Sequence, residues 1–563
     1  MTSQLRFLDP PAKRIDADAT DQVNHGEVFT RRWVVEFILD LVGYEPEADL
    51  ASRTIVEPAC GTGAFLIPIV DRLVESCRQR GTDIALAGGA IRAFDVLDGN
   101  ADLARKAVTH RLGEHGLDDG HSAALATEWV RTADFLLRDH EPDSADYVVG
   151  NPPYVRLEDV PRHLTAAYRQ ACPTMLGRSD IYVGFIEMGL GVLHSDGSLG
   201  FICADRWMHN QYGAALRDLV TSRYAVDTIV SMHDVDAFED EVSAYPAIIV
   251  LRNGTQSDVT VVDAGRDFGR TETRGITAWA RDGSTTISQG SASGTRLSTW
   301  FRGTPSWPAG NPARQQLVAE LEARFPPLET ADTGTRVGIG VATGCDEVYI
   351  TRDTSVVEED RLLPLLTSRD TTTGRVEWSG TYLVNPWKDG SLVDLDAYPR
   401  LNAYMRAKEH RLRDRHVARR RPESWFRTID RVDPSLQGRD KLVLPDIKAK
   451  ANPVLDGGRL YPHHNLYFVV SEAWDLEVLG GILLSDVANA LIGAYCVKMR
   501  GGCYRFQAQY LRRMRLPRLR DVDRAMQDGL ASAFRTRDRD AATEYAAAAF
   551  GLDQSLVRAA LGT

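Results

Sequence analysis

Between residues 24 and 252, short apolar and β-branched runs alternate with stretches of helical spacing. RTIVEPACG, IRAFDVL, DYVVGNPPY, GSLGFICA, VDTIVSM and AYPAIIVL have the length and composition of buried strands. RRWVVEFILDLVGY, AFLIPIVDRLVESCRQR, NADLARKAVTHRL, IYVGFIEMGLGVL and YGAALRDLVTSRY place their apolar residues on one helical face. This alternation predicts an α/β fold, a mostly parallel sheet with helices on both faces and ligands at the carboxyl ends of the strands. Residues 264–310 are rich in Gly, Ser and Thr with little periodicity, and 264–325 reads as a linker. From RFPPLE onward the pattern is mixed α and β through residue 520, and 521–563 is an Ala-rich helical tail. The expected domains are therefore a flexible N-terminus at 1–23, an α/β domain at 24–263, the linker, a second domain at 326–520 and the tail.

Composition narrows this picture. The 563 residues, 43% hydrophobic and 26% charged, fit a soluble protein of two or three domains. The polar N-terminus shows no signal peptide. The most apolar stretch, VLGGILLSDVANALIGAYCV, is interrupted by Asp486 and Asn489, so a packed helix is expected rather than a membrane span. Seven cysteines without a CxxC pair suit a reducing cytoplasm and offer no zinc site. The net charge of −12 does not suggest a nucleic-acid binder, but residues 401–450 hold fourteen Lys and Arg against seven Asp and Glu. That island suits a phosphate-binding surface.

Candidate chemistry follows the strands. In TIVEPACGTGAF, Gly61 and Gly63 allow close backbone approach at a helix start, while Leu66 occupies the place of a third dinucleotide-binding glycine. Glu57, just before the turn, would repel a pyrophosphate and accept a cationic amino group. Asp95 ends the next strand, where an acidic residue can accept both hydroxyls of a ribose, with Asp98 as second choice. Asp134 and Phe135 then offer an acceptor and an apolar face to an adenine ring. In NPPY, Pro152 and Pro153 stiffen the loop that carries Asn151 and Tyr154, placing a planar amide beside an aromatic ring. Such a loop suits a flat, nitrogen-bearing substrate.

Taken in order, these motifs resemble the gamma-class N6-adenine DNA methyltransferases of restriction–modification systems. In that family cofactor motifs precede the catalytic motif and a target recognition domain follows. EPACGTGAF and NPPY match closely, and SDIYVGFIEMGL aligns Asp180 and Tyr182 with the motif after the catalytic loop. HGEVFTRRWVVEFILDL resembles the N-terminal cofactor motif, with Arg31 instead of proline after Thr30. DAFEDEVSAYPAIIVL resembles the segment carrying a second aromatic for the target base, here Phe238. The resemblance implies a Rossmann-like class I S-adenosylmethionine-dependent domain and a DNA-binding domain behind it. It implies S-adenosyl-L-methionine as cofactor, held by Thr30, Glu57, Ala59, Gly61, Gly63, Asp95, Asp134, Phe135, Asn151 and Pro153. Asn151, Pro152, Pro153, Tyr154 and Phe238 are implied as the catalytic set. The implied partner is double-stranded DNA, with either a separately encoded endonuclease or other defence proteins, or a solitary role. The same clamp can hold a cytosine N4 amine, NPPY also occurs in RNA and protein-glutamine methyltransferases, and an inactive DNA-binding component is a non-enzyme alternative.

Overall fold

The strand runs of the first half pair as their parallel pattern requires. In the computed structural model, which describes residues 28–239, 245–496 and 504–562, the chain divides into two compact units, Met1–Thr255 and Gln256–Thr563. The proposed flexible segment 1–23 lies outside the described residues.

In the first unit, β1 (Ile55–Glu57), β2 (Ile91–Asp95), β3 (Val130–Thr132), β4 (Ala145–Gly150), β5 (Leu193–Ala204), β6 (Ala225–Ser231) and β7 (Pro246–Arg252) lie in the order β3-β2-β1-β4-β5-β7-β6. Strands β3 to β5 are parallel, and β7 enters antiparallel to both β5 and β6. Beside the sheet run α1 (Arg32–Val42), α2 (Leu66–Arg80), α3 (Asp98–Glu114), α4 (Asp119–Trp129), α5 (Arg162–Ala171), α6 (Tyr182–Gly191), α7 (Arg206–His209) and α8 (Ala214–Arg223). Seven of the eleven residues of α1 are buried, and Gly43 ends the helix in the left-handed conformation. The order of strands reverses between β1 and β4, so the carboxyl ends of β1, β2 and β4 open onto one crevice. The glycine turn, Asp95, Asp134 and the NPPY loop lie at that edge or in a loop leaving it.

The second unit corrects the linker reading of 264–325. Residues Arg270–Asp282 and Pro312–Arg324 are helices, and Thr286–Gln289 and Ala292–Leu297 form an antiparallel hairpin that pairs with Val259–Ala264. The first of these helices buries Thr273, Ile276, Thr277 and Trp279. Its apolar face is built partly from threonine, which a reading by hydrophobicity scores as polar. Beyond it, a four-stranded antiparallel sheet holds Lys441–Pro445 between Val454–Asp456 and Leu466–Val470.

The apolar stretch expected to be one helix is two, Leu476–Leu484 and Asp486–Tyr495, bent by 70° and largely buried. Ser485 causes the break: its hydroxyl accepts from the Ala488 N–H and caps the second helix. Among the described residues no single helix is long and apolar enough to cross a membrane. The tail is helical, over Arg524–Thr536, Arg539–Phe550 and Gln554–Leu561.

Candidate active site

A cavity of about 280 Å³ opens at the crevice of the first unit. Its floor is the turn after β1. Gly61 and Gly63 have φ of 53° and 106°, backbone conformations that a Cβ disfavours. The turn is tied to the next strand by the Cys60 N–H on the Phe94 carbonyl at 2.8 Å and by the Gly61 N–H on Asp95 Oδ2 at 2.9 Å. Asp95 Oδ1 accepts from the Leu97 N–H at 2.9 Å, so one buried carboxylate organises two adjacent loops. Asp98 stands exposed at the start of α3 and is not among the residues lining the cavity.

Glu57 is buried at the end of β1, and burial together with the nearby Asp95 raises its pKa well above the usual carboxylate range. Its Oε2 is buried without a partner. A carboxyl group left so costly has its natural complement in a cationic ligand group. At the far side Asp134 accepts from the Leu136 N–H at 3.0 Å and the Tyr168 hydroxyl at 2.7 Å. The Phe135 ring lies nearly parallel to Phe185, with centroids 5.8 Å apart.

The loop after β4 brings Asn151, Pro152 and Pro153 to the wall opposite the glycine turn. Asn151 Nδ2 donates to the Val28 carbonyl at 3.0 Å and to Thr30 Oγ1 at 3.2 Å. A backbone carbonyl can only accept, so these partners fix which end of the amide faces them. The other end, Asn151 Oδ1, is buried without a partner.

Thr30 pairs with Phe238 in an antiparallel bridge, bringing together two motifs 208 positions apart in the sequence. Arg31 sits at φ −61°, the value proline would impose. Its N–H donates to the Ala237 carbonyl at 3.0 Å and its guanidinium pairs with Asp236 at 2.7 Å. The departure from the family's proline thus exchanges a fixed φ for a hydrogen bond and an exposed ion pair. Tyr154 lies 6.3 Å from Phe238, centroid to centroid, at an interplanar angle of 81°. The rings meet edge to face, and a base sandwiched between them would require one ring to turn. Burial raises the Tyr154 phenol well above its usual pKa, so the ring stays neutral. Asp180 and Tyr182, on the next motif, join through the Tyr212 hydroxyl at 3.2 and 2.7 Å.

Of the expected cofactor residues, Thr30, Glu57, Ala59, Gly61, Asp95, Asp134, Phe135, Asn151 and Pro153 line the cavity; Gly63 shapes its turn from behind. Tyr154 and Phe238 stand outside it, beside each other. The sequence reading passed over α5, whose Leu164 and Tyr168 close the cavity. Their i, i+4 spacing behind Pro161 is a helical signal, but a single pair in a polar decapeptide is faint.

The strand order with its antiparallel β7, the glycine turn and the acidic strand ends define a class I methyltransferase fold. Comparison with known proteins then narrows the class. Residues 102–238 match the Eco57I restriction-modification methylase family. The chain is 42% identical over 543 residues to the type II methyltransferase M.PaeR7I of Pseudomonas aeruginosa, covering 95% of this chain and 93% of that one. It is 42% identical over 539 residues to the type II methyltransferase M.XhoI of Xanthomonas vasicola, covering 94% and 98%. Among solved structures, the type IIL restriction-modification enzyme MmeI in complex with DNA aligns with 94% of this chain and 72% of its own, at 12% identity and a TM-score of 0.48. The chain belongs to the type II methyltransferases of restriction–modification systems.

Proposed function

We propose that the first unit binds S-adenosyl-L-methionine in the 280 Å³ cavity and methylates N6 of an adenine extruded from double-stranded DNA. The observation that carries this reading is Asn151: one end of its amide is anchored and the other is a buried acceptor without a partner. The cofactor supplies an electrophilic methyl group on a positively charged sulfur, which leaves as a neutral thioether. Glu57 takes the amino group of its methionine moiety, Asp95 the ribose, and Asp134 with Phe135 the adenine.

An exocyclic amine conjugated with its ring is a poor nucleophile. Asn151 Oδ1 and the Pro152 carbonyl each accept one of its N–H hydrogens. That draws the nitrogen toward tetrahedral geometry and frees its lone pair to form the new N–C bond; one N–H proton then leaves to solvent. Orientation and fixed dipoles carry the rate, and no strong base is needed. Because the amine cannot be reached within a duplex, the base must leave the stack, and Tyr154 and Phe238 replace its lost stacking.

Incubating unmodified duplex DNA with methyl-labelled cofactor and analysing the digested nucleosides by mass spectrometry tests the reading. N6-methyladenine is expected; N4-methylcytosine, or an unmodified product, would refute it. For the cofactor contacts, Asp95→Ala should weaken binding roughly tenfold to a hundredfold, the equivalent of ~1–3 kcal/mol. Unchanged affinity by calorimetry would remove Asp95 from the cofactor site. Tyr154→Ala should lose both base capture and turnover, with Tyr154→Phe milder because the ring face carries the contact. A fully active Tyr154→Ala enzyme would eliminate stacking from the account.

A further inference from the structure

The fourteen cations of residues 401–450 do not form one uniform surface, and the fold of the second unit sorts them. Arg406 and Arg413 share Glu409, Arg411 pairs with Glu347, Arg419 with Asp414, Arg439 with Glu472 and Lys450 with Asp486. Lys441 is buried against Asp456. Arg415 belongs to the scaffold: it donates to the carbonyls of Leu412, Thr343, Trp425 and Arg427 and to the Tyr349 hydroxyl. Lys408, Arg420, Arg421, Arg427, Arg431 and Lys448 have no ion-pair partner among the described residues. Of these, Arg420 and Arg421 are both exposed and adjacent on one cleft.

These two open onto a cleft of about 570 Å³ together with Arg415, Arg427 and His416. No carboxylate is among its lining residues, in a chain whose net charge is −12. The polar side chains that line it are donors or imidazole. Apart from one imidazole nitrogen, such a lining offers no side-chain acceptor for donor groups such as adenine N6 or cytosine N4. It suits acceptors, either phosphodiester oxygens or the O6/N7 edge of guanine. Reading a guanine edge needs a braced, bidentate arginine, whereas Arg420 and Arg421 are exposed and without an ion-pair partner, and long exposed cations on an open cleft favour phosphate. We infer that this cleft seats the sugar–phosphate backbone of DNA, with Arg420 and Arg421 neutralising phosphates and the braced Arg415 shaping the floor. The inference rests on the reading of the chain as a DNA methyltransferase.

The test compares the salt dependence of DNA binding for the full-length protein and for Arg420→Ala/Arg421→Ala, on duplexes with and without the methylation site. Each phosphate contact contributes about 0.9 to the slope of log K against log salt, so the double variant should lose about two units on both duplexes. Cofactor affinity, measured by calorimetry, should stay unchanged. A matched control, Arg520→Ala/Arg524→Ala, removes two exposed arginines elsewhere in the same unit and should leave the slope near that of the wild type. An unchanged slope in the cleft variant, or an equal loss in the control, overturns the inference. So does a loss confined to the site-bearing duplex with altered base preference, which would make the cleft a guanine reader. Failure of the wild type to methylate any DNA would instead refute the function on which the inference rests.

Discussion

Asn151→Ala should reduce methyl transfer by roughly a hundredfold to a thousandfold, the range for removing one preorganised polar group from a transition state, while leaving cofactor affinity within a few-fold. The side chain holds two roles at once. Its Nδ2 joins the NPPY loop to Val28 and Thr30, and its Oδ1 is a buried acceptor without a partner, the group the proposed clamp uses. Alanine removes the acceptor, and the effect falls on the chemical step because the amine hydrogens become more acidic as the nitrogen attacks. Asn151→Asp separates the two roles. It keeps an acceptor but faces a carboxylate oxygen toward the Val28 carbonyl, where no hydrogen remains to bridge them, so it should also be impaired. Single-turnover rates with labelled cofactor, alongside calorimetry of cofactor binding, check both variants. An Asn151→Ala enzyme with a normal single-turnover rate would leave the clamp without its principal acceptor.

Asp456→Ala should be among the most destabilising single substitutions in the second unit, at about 3–5 kcal/mol. Lys441 and Asp456 stand opposite each other in antiparallel register, and both side chains are almost wholly buried. Lys441 Nζ donates to Asp456 Oδ2 at 2.8 Å and to the Leu460 carbonyl at 3.1 Å. Removing the carboxylate strands an ammonium between two strands of a sheet, where water cannot reach it. Lys441→Met combined with Asp456→Leu removes both charges and should cost much less, because no uncompensated ion remains. Urea unfolding followed by probes in the second unit, with cofactor binding as a report on the first, provides the comparison. Equal stability of Asp456→Ala and wild type would show that the pair is not closed to solvent.

These two sites were unequally visible in the primary structure. Asn151 stood out as a candidate through its neighbours: a strand ending in Gly150, two prolines and an aromatic. Lys441 and Asp456 looked like ordinary members of a charged region, and Lys441 was counted toward a solvent-facing basic island. Burial is a property of the sheet that forms around a residue, and no local pattern records it. The same holds for Arg420 and Arg421, which differ from their paired neighbours only through which carboxylates the fold brings near.

The sequence by itself determined the α/β class, the sites of the glycine turn and the NPPY loop, and the order of acidic residues at successive strand ends. It could do so because those features depend on local chemistry, namely apolar periodicity, left-handed glycines and proline rigidity, all readable within about ten residues. Only the tertiary structure decided that Asp95 ties two loops together while Asp98 stands aside, and that Thr30 meets Phe238 across a bridge. It alone turned the supposed linker into a helix and hairpin, broke the apolar stretch at Ser485, and closed the cavity with α5. Each of these rests on a partner far along the chain or on a weak local signal, and its outcome is set by which distant surfaces bury each other.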